Sequence, residues 1–309
     1  MATSRSPILL TGAAGFVGQA LMGVLREECA ERRVVCVDRI PQPLGSVQCD
    51  AWHVLDLGDA KVAREVIADE RPAAVFHVAG LARGTDWDAL YHANVVTTLT
   101  LLGAIQELSL DCVIVIPGSA AEYGPVDSDR LPVAETTPLR PISPYGVSKA
   151  WQTLAALSFV AQGLDVRIGR LFNIIGPGLP QSFALGAFAH QLREVRDRRR
   201  GPVLKTGYLG SDRDFLDVRD VARALVAIAD SGSAGEVYNV CSGVGLSMQQ
   251  CLDILIEVSG LHVSVESESA NDSAAILSSV GSNAKLTELI GWSPHIALRQ
   301  SIADLWTEC

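Results

Sequence analysis

The run Thr11-Gly12-Ala13-Ala14-Gly15-Phe16-Val17-Gly18 limits what this chain can become more than any other segment. It follows a short apolar run, Pro7–Leu10, that reads as a strand, and it opens a stretch, Gly15–Glu28, that reads as a helix. A glycine turn joining a first strand to a first helix is the opening unit of a parallel, doubly wound sheet. The helix start presents unpaired N–H groups and a partial positive charge, and both suit a pyrophosphate. Gly12 is placed for the sharp turn, Gly15 for backbone approach to phosphate, and Gly18 for close helix–sheet packing; Phe16 and Val17 complete the expected cofactor-binding turn. The spacing G-x-x-G-x-x-G is one residue longer than the commonest dinucleotide fingerprint. Taken alone, the turn also fits an ordinary strand–helix connection.

The same rhythm continues. Arg33–Val37, Ala74–Val78, Cys112–Ile116 and Val166–Phe172 read as strands, with helices over Asp59–Glu70, Ala89–Leu108 and Ser143–Ala161. Their apolar runs lack strict alternation, which suits strands buried on both faces. Beyond Asn173 the pattern loosens. Helices are expected over Phe183–Arg196, Val218–Ala229, Met248–Val258, Asn283–Leu289 and Leu298–Trp306, a last strand over Glu236–Val240, and turns over Lys205–Gly210. The fold expected is α/β, a Rossmann-type doubly wound parallel sheet with a smaller C-terminal α/β substrate-binding domain. The dinucleotide-binding part is expected over 1–172 plus a returning segment at about 211–240, and the substrate part over 173–210 and 241–309.

Composition narrows the function. At 48% hydrophobic and 19% charged the 309-residue chain is globular, and a net charge of −10 argues against nucleic-acid or anionic-membrane partners. No apolar run is long enough to span a bilayer, and no signal peptide fits Met1–Ser6. The seven cysteines are odd in number and lack C-x-x-C spacing; Cys36, Cys112 and Cys241 sit in apolar runs. A cytoplasmic protein without a disulfide framework is expected, and no metal, since no His/Cys/carboxylate cluster has ligand spacing. His77 is expected to pack or to bond backbone. The run Arg193, Arg196, Arg198, Arg199, Arg200 reads as a solvated helix end.

Asp38 ends the second strand, twenty residues past Gly18. A carboxylate there can bond both ribose hydroxyls and repel a 2′-phosphate, which favours NAD(H). Arg39 follows and can pair with a 2′-phosphate, which keeps NADP(H) possible. Asp56 and Leu57 are placed to contact adenine, although Asp56 equally suits capping the helix from Asp59. Further on, Tyr145 and Lys149 lie four apart, on one helix face. A phenol with a pKa of roughly 10 is a poor proton shuttle at neutral pH, and a neighbouring ammonium is expected to lower that pKa. Ser119, past the strand Cys112–Ile116, is placed to hold the reacting oxygen.

These segments, together with His77-Val78-Ala79-Gly80, the stretch around Asn94, Gly118–Gly124, Arg170–Gly178 and Arg213–Ala224, resemble the extended short-chain dehydrogenase/reductases of the epimerase/dehydratase group, nearly end to end. The resemblance implies a catalytic trio of Ser119, Tyr145 and Lys149. It implies that Asn94 supports the lysine through backbone and water, that Asn173 touches the substrate's sugar or phosphate, and that Arg213 pairs with its pyrophosphate. The group's dehydratases carry an acid one or two residues after the catalytic Ser/Thr; Ala120 and Ala121 stand there, and Glu122 comes one place too late. The second half is most similar to the GDP-4-keto-6-deoxy-D-mannose reductases, although the loop after His77 is shorter than theirs. That similarity adds Phe183 and Lys205 to the expected substrate contacts. It implies reduction of the C4 ketone of a GDP-linked sugar, with an NAD-dependent 4-epimerase and a non-catalytic dinucleotide sensor as alternatives. It also implies a homodimer formed through the helices at Ala89–Leu108 and Ser143–Ala161.

Overall fold

The computed structural model describes residues 7–269 and 277–307; the reading at Met1–Ser6 and Cys309 lie outside them. The first half runs β1 (Ile8–Thr11), α1 (Phe16–Glu28), β2 (Val34–Asp38), β3 (Ala51–Val54), α2 (Ala60–Glu70), β4 (Ala74–His77), α3 (Trp87–Leu90), α4 (Thr97–Glu107), β5 (Val113–Ser119), α5 (Pro144–Ser158) and β6 (Asp165–Leu171). The second runs β7 (Asn173–Ile175), α6 (Ala184–Arg196), β8 (Val203–Thr206), β9 (Asp212–Asp217), α7 (Val218–Ser231), β10 (Val237–Val240), β11 (Gly245–Ser247), α8 (Met248–Ser259), β12 (Ser264–Ser267), β13 (Ser278–Ser279), α9 (Ala284–Ile290) and α10 (Leu298–Thr307).

Seven strands form one sheet in the order β10-β6-β5-β4-β1-β2-β3, and every pairing is parallel. Alternate residues serve opposite faces. Ile8, Leu10, Val34 and Cys36 face the core under α1, α7 and α9, while Leu9, Val35 and Val37 face the core under α2, α4 and α5. Both faces are buried, so these strands read as unbroken apolar runs. Strand order reverses between β1 and β4, and the carboxyl ends of strands at such a switch point border a crevice. Two glycines shape the turn there. Gly12 has φ +69°, and a Cβ on it would lie 2.6 Å from Ala79 backbone. A Cβ on Gly18 would lie 2.2 Å from the Gly12 carbonyl oxygen, so α1 packs on the turn with no room for a side chain.

The remaining strands make a four-stranded sheet, in which β9 joins β7, β11 and β13, and a parallel pair, β8 with β12. Their core lies among α6, α8 and α10, around Leu192, Leu204, Leu252 and Ile302. Three sequence expectations change here. The chain does not return to the large sheet at about 211: β9 stays in the smaller sheet, and the return begins with α7, which packs on α1. Lys205 is in a strand, not a turn. The helix expected over Ala89–Leu108 starts at Trp87, where Asp86 accepts from the Asp88 and Ala89 N–H groups, and is interrupted by a π-helical stretch, Tyr91–Val96. Thr97 bonds the His92 carbonyl five residues back within this wider stretch. No helix among the described residues is long and apolar enough to cross a membrane.

Candidate active site

Two cavities, of about 340 and 900 Å³, adjoin at the carboxyl ends of the large sheet and share Gly12, Gly15, Val78, Ala79 and Gly80. The smaller is lined by Asp38, Arg39, Asp56 and Leu57. Asp38 Oδ2 accepts from the Ala14 N–H at 2.9 Å, which ties the end of β2 to the glycine turn. Arg39 is exposed and makes no ion pair among the described residues. Asp56 Oδ1 accepts from the Gly58 N–H at 2.8 Å, and the cap of α2 is Asp59, which accepts from Lys61 and Val62. Of the two uses read for Asp56, capping therefore falls to its neighbour.

These residues fit a dinucleotide. The thirteen-residue helix α1 starts at Gly15 without a side-chain cap, leaving its first N–H groups free for an anion. A Cβ built on Gly15 would meet only the Gly12 carbonyl oxygen, at 3.2 Å, so backbone is open to the cleft. Asp38 and Arg39 then offer opposite charges at the far end.

The larger cavity is lined by Phe16, Val17, Gly18, Asn94, Ser119, Tyr145, Lys149, Asn173, Phe183, Lys205 and Arg213, so every site residue read from the sequence borders one cavity or the other. Ser143 caps α5 by accepting from the Gly146 N–H at 3.1 Å, and Pro144 occupies the first turn, which places Tyr145 at the helix start. Ser119 ends β5 and its hydroxyl lies beside the Tyr145 phenol at the cavity wall. Burial pushes that phenol up to about 12; the Ser119 hydroxyl opposes the shift and the charge of Glu122 adds to it. Lys149 Nζ donates to the Pro117 carbonyl at 2.7 Å and to Gln152 Oε1. Burial lowers Lys149 itself to about 8, against the pull of Glu122.

Glu122 is turned away from the cavity and sits against Arg170, Nη2 to Oε2 2.9 Å. Asn94 makes no direct hydrogen bond to Lys149 among the described residues. Its Oδ1 accepts from the Leu81 N–H at 2.8 Å and its Nδ2 donates to Ser148 Oγ at 3.0 Å, so it braces the loop after β4 against α5. Asn173 reaches the Asp214 carbonyl at 3.4 Å, and burial lowers the Arg213 pKa. The Phe183 ring lies under the Arg83 guanidinium, 5.5 Å from its centroid. Lys205 is exposed; its backbone N–H and C=O are paired with the Gln191 side-chain amide at 2.9 and 3.0 Å.

Sequence reasoning missed Thr11, Thr98 and Gln152, which form a buried polar chain with His77 behind the site. His77 bonds two threonine hydroxyls rather than backbone, Thr11 at 2.8 Å and Thr98 at 3.1 Å. No spacing rule marks such residues; only the meeting of β1, β4, α4 and α5 brings them together. The arginine run makes local pairs: Arg193 and Arg196 stack on Trp306, Arg196 and Arg199 pair with Asp197, and Arg200 pairs with Glu194.

A parallel seven-stranded sheet with a glycine-lined cleft beside a Ser–Tyr–Lys set defines a Rossmann-type dehydrogenase/reductase. The chain belongs to the NAD dependent epimerase/dehydratase family, whose model matches residues 8–241. It is 30% identical over 307 residues to the GDP-6-deoxy-D-mannose reductase of Pseudomonas aeruginosa, covering 97% of this chain and 96% of that one. The structure of RMD from Pseudomonas aeruginosa complexed with NADPH superposes with a TM-score of 0.85 at 28% identity, covering 98% of this chain and 97% of the other. The UDP-glucose 4-epimerase of Thermus thermophilus in complex with NAD gives a TM-score of 0.85 at 25% identity, covering 98% and 97%.

Proposed function

We propose that this protein reduces the C4 ketone of a nucleotide-linked 4-keto-6-deoxy sugar with NAD(P)H, and that the substrate is GDP-4-keto-6-deoxy-D-mannose. The observation that carries the reading is the meeting of the Ser119 hydroxyl and the Tyr145 phenol at the large cavity, with the phenol kept protonated by burial. A protonated phenol is the form needed to donate to a carbonyl oxygen becoming an alkoxide. A reduced nicotinamide dinucleotide held in the cleft would supply the hydride taken up at C4. Tyr145 delivers the proton to the C4 oxygen, and Ser119 donates a hydrogen bond to the same oxygen. Lys149 holds the nicotinamide ribose and offsets the charge left on Tyr145. Asn173, Phe183, Lys205 and Arg213 hold the nucleotide sugar, with Arg213 on its pyrophosphate.

Dehydration is disfavoured. Ala120 and Ala121 carry no acid, and Glu122 is held by Arg170. A 4-epimerase is the second reading, supported by the likeness to a UDP-glucose 4-epimerase. Mixing the protein with GDP-4-keto-6-deoxy-D-mannose and NADH or NADPH, and following reduced-nicotinamide absorbance, tests the reading. Stoichiometric oxidation supports it. A protein that holds its cofactor through purification and oxidises neither supports the epimerase.

The dinucleotide half is read as residues 1–172 with the return from Val218, and the substrate half as the rest of 173–309. A homodimer is read at Trp87, Tyr91, Leu99, Trp151 and Leu154, large side chains left exposed on neighbouring helices, with Trp87 and Tyr91 each 6.0 Å from the Trp151 ring. Sedimentation at the mass of one chain would overturn it. A cytoplasmic location accords with six described cysteines that are all free thiols.

A further inference from the structure

The side chain that meets the catalytic lysine from inside the protein is Gln152, one turn further along α5 and 1% exposed. Its amide is held at the other end as well: Nε2 donates to Thr98 Oγ1 at 2.9 Å. The proton directions beyond it are determined. Thr98 gives its own hydroxyl proton to the Asn94 carbonyl at 2.7 Å, so the oxygen can only accept from Gln152 and from His77 Nε2. His77 therefore carries its proton on Nε2, and Nδ1 accepts from the Thr11 hydroxyl at 2.8 Å. Thr11 in turn accepts from the Ala79 N–H at 3.3 Å. Neutral His77 fits this pattern, since burial lowers its pKa to about 3. Each member of the chain has a donor or acceptor that it cannot exchange without leaving a buried group unpaired.

We propose that Gln152 is the positioning residue for Lys149: its amide, oriented by Thr98 and His77, holds the ammonium at the Pro117 carbonyl and keeps it charged inside the protein. The proposal rests on the reading that Lys149 serves the cofactor site. A neutral carbonyl acceptor favours the ammonium over the free amine, while burial favours the amine. The other titratable groups acting on Lys149 are Glu122 from the turn after β5, itself paired with Arg170, and neutral His77 from β4. Burial lowers Lys149 to about 8, and the Gln152 carbonyl acts in the opposite sense because it accepts only from a donor on Nζ.

The test needs no turnover. The chain has four lysines, Lys61, Lys149, Lys205 and Lys285, so selectively labelled lysine gives a resolvable NMR titration of the full-length protein, with Lys149→Arg assigning the signal. Gln152→Glu places a carboxylate at the same distance and is expected to raise the Lys149 midpoint by about one unit or more. Gln152→Leu is expected to lower it, and Thr98→Val to lower it by less. NADH affinity at pH 8 is expected to follow the charge, tightest in Gln152→Glu and weakest in Gln152→Leu. Equal Lys149 midpoints in folded Gln152→Glu and wild type overturn the proposal, whatever happens to Gln152→Leu. A residue serving only to fill the core would shift the melting temperature and leave the midpoint in place. Failure of the ketoreductase assay leaves this titration unaffected, so the two readings fall separately.

Discussion

Glu122 and Arg170 form an ion pair closed off from solvent, with Oε2 2.9 Å from Nη2 and the side chains 0% and 3% exposed. The carboxylate also accepts from the Ser119 N–H at 2.7 Å and from Thr153 Oγ1 at 3.2 Å, and Arg170 Nη1 donates to the Tyr123 hydroxyl at 2.9 Å. The pair thus fixes the backbone at Ser119. Removing one partner strands a buried charge, so Glu122→Ala is expected to cost about 3–5 kcal/mol. Glu122→Ala with Arg170→Met should cost less than the single change. Urea unfolding measures both, and a double variant weaker than the single would contradict the account.

Tyr145→Phe removes the proposed proton donor and leaves the cleft's shape. Turnover should fall by roughly a hundred- to ten-thousand-fold. Cofactor affinity, read by quenching of protein fluorescence, should stay within a few-fold of wild type. A Phe variant that turns over at the wild-type rate would sink the assignment.

His77 gives the fold an acid sensitivity whose sign follows from its burial. Its pKa is lowered from 6.5 to about 3, so the unfolded chain binds the proton first as pH falls. The contribution is fully present above pH 6.5 and is lost as pH drops toward 3, about 4–5 kcal/mol in all. His77→Gln should be less stable at pH 7.5 but lose less stability between pH 6.5 and 4. Parallel stability–pH curves for the two proteins would refute this.

Asp38 touches the glycine turn through Ala14, and Asn at that position can still accept from the same N–H. Charge is what changes. Asp38→Asn is therefore expected to raise the NADPH-to-NADH ratio of kcat/KM about tenfold, roughly 1.4 kcal/mol. With Arg39 exposed beside it, Arg39→Ala should push the ratio the other way. An unchanged ratio in Asp38→Asn would show that the carboxylate does not select the cofactor.

Much of the fold was legible because it rests on local pattern. Doubly buried strands such as Val34–Asp38 need apolar residues at every position, and those runs, with the glycine turn, announce the parallel sheet. Apart from Val237–Val240, the short strands of the second half were not legible. Asn173–Ile175 and Ser278–Ser279 are too brief to carry a period, and Asp212–Asp217 mixes charges with apolar residues because it lines a cavity and a core at once. The site shows the same division. Ser119, Tyr145, Lys149 and the glycines stand at spacings set by one helix or one turn, and chain order alone brings them to the crevice. Gln152, Thr98, His77 and Glu122 carry no such mark; two of them look like ordinary helix residues and one like a misplaced acid.

What the sequence determined by itself is therefore what depends on neighbours a few residues apart: the strand–turn–helix units, the cap at Ser143, and Tyr145 and Lys149 on one helix face. Tertiary structure decided where the buried charges go. The Lys149 ammonium faces Pro117 and Gln152, thirty-two and three residues away, and Glu122 faces Arg170, forty-eight residues on. The reason is that a buried charge takes the partner that packing brings within reach, and sequence separation has no bearing on that distance.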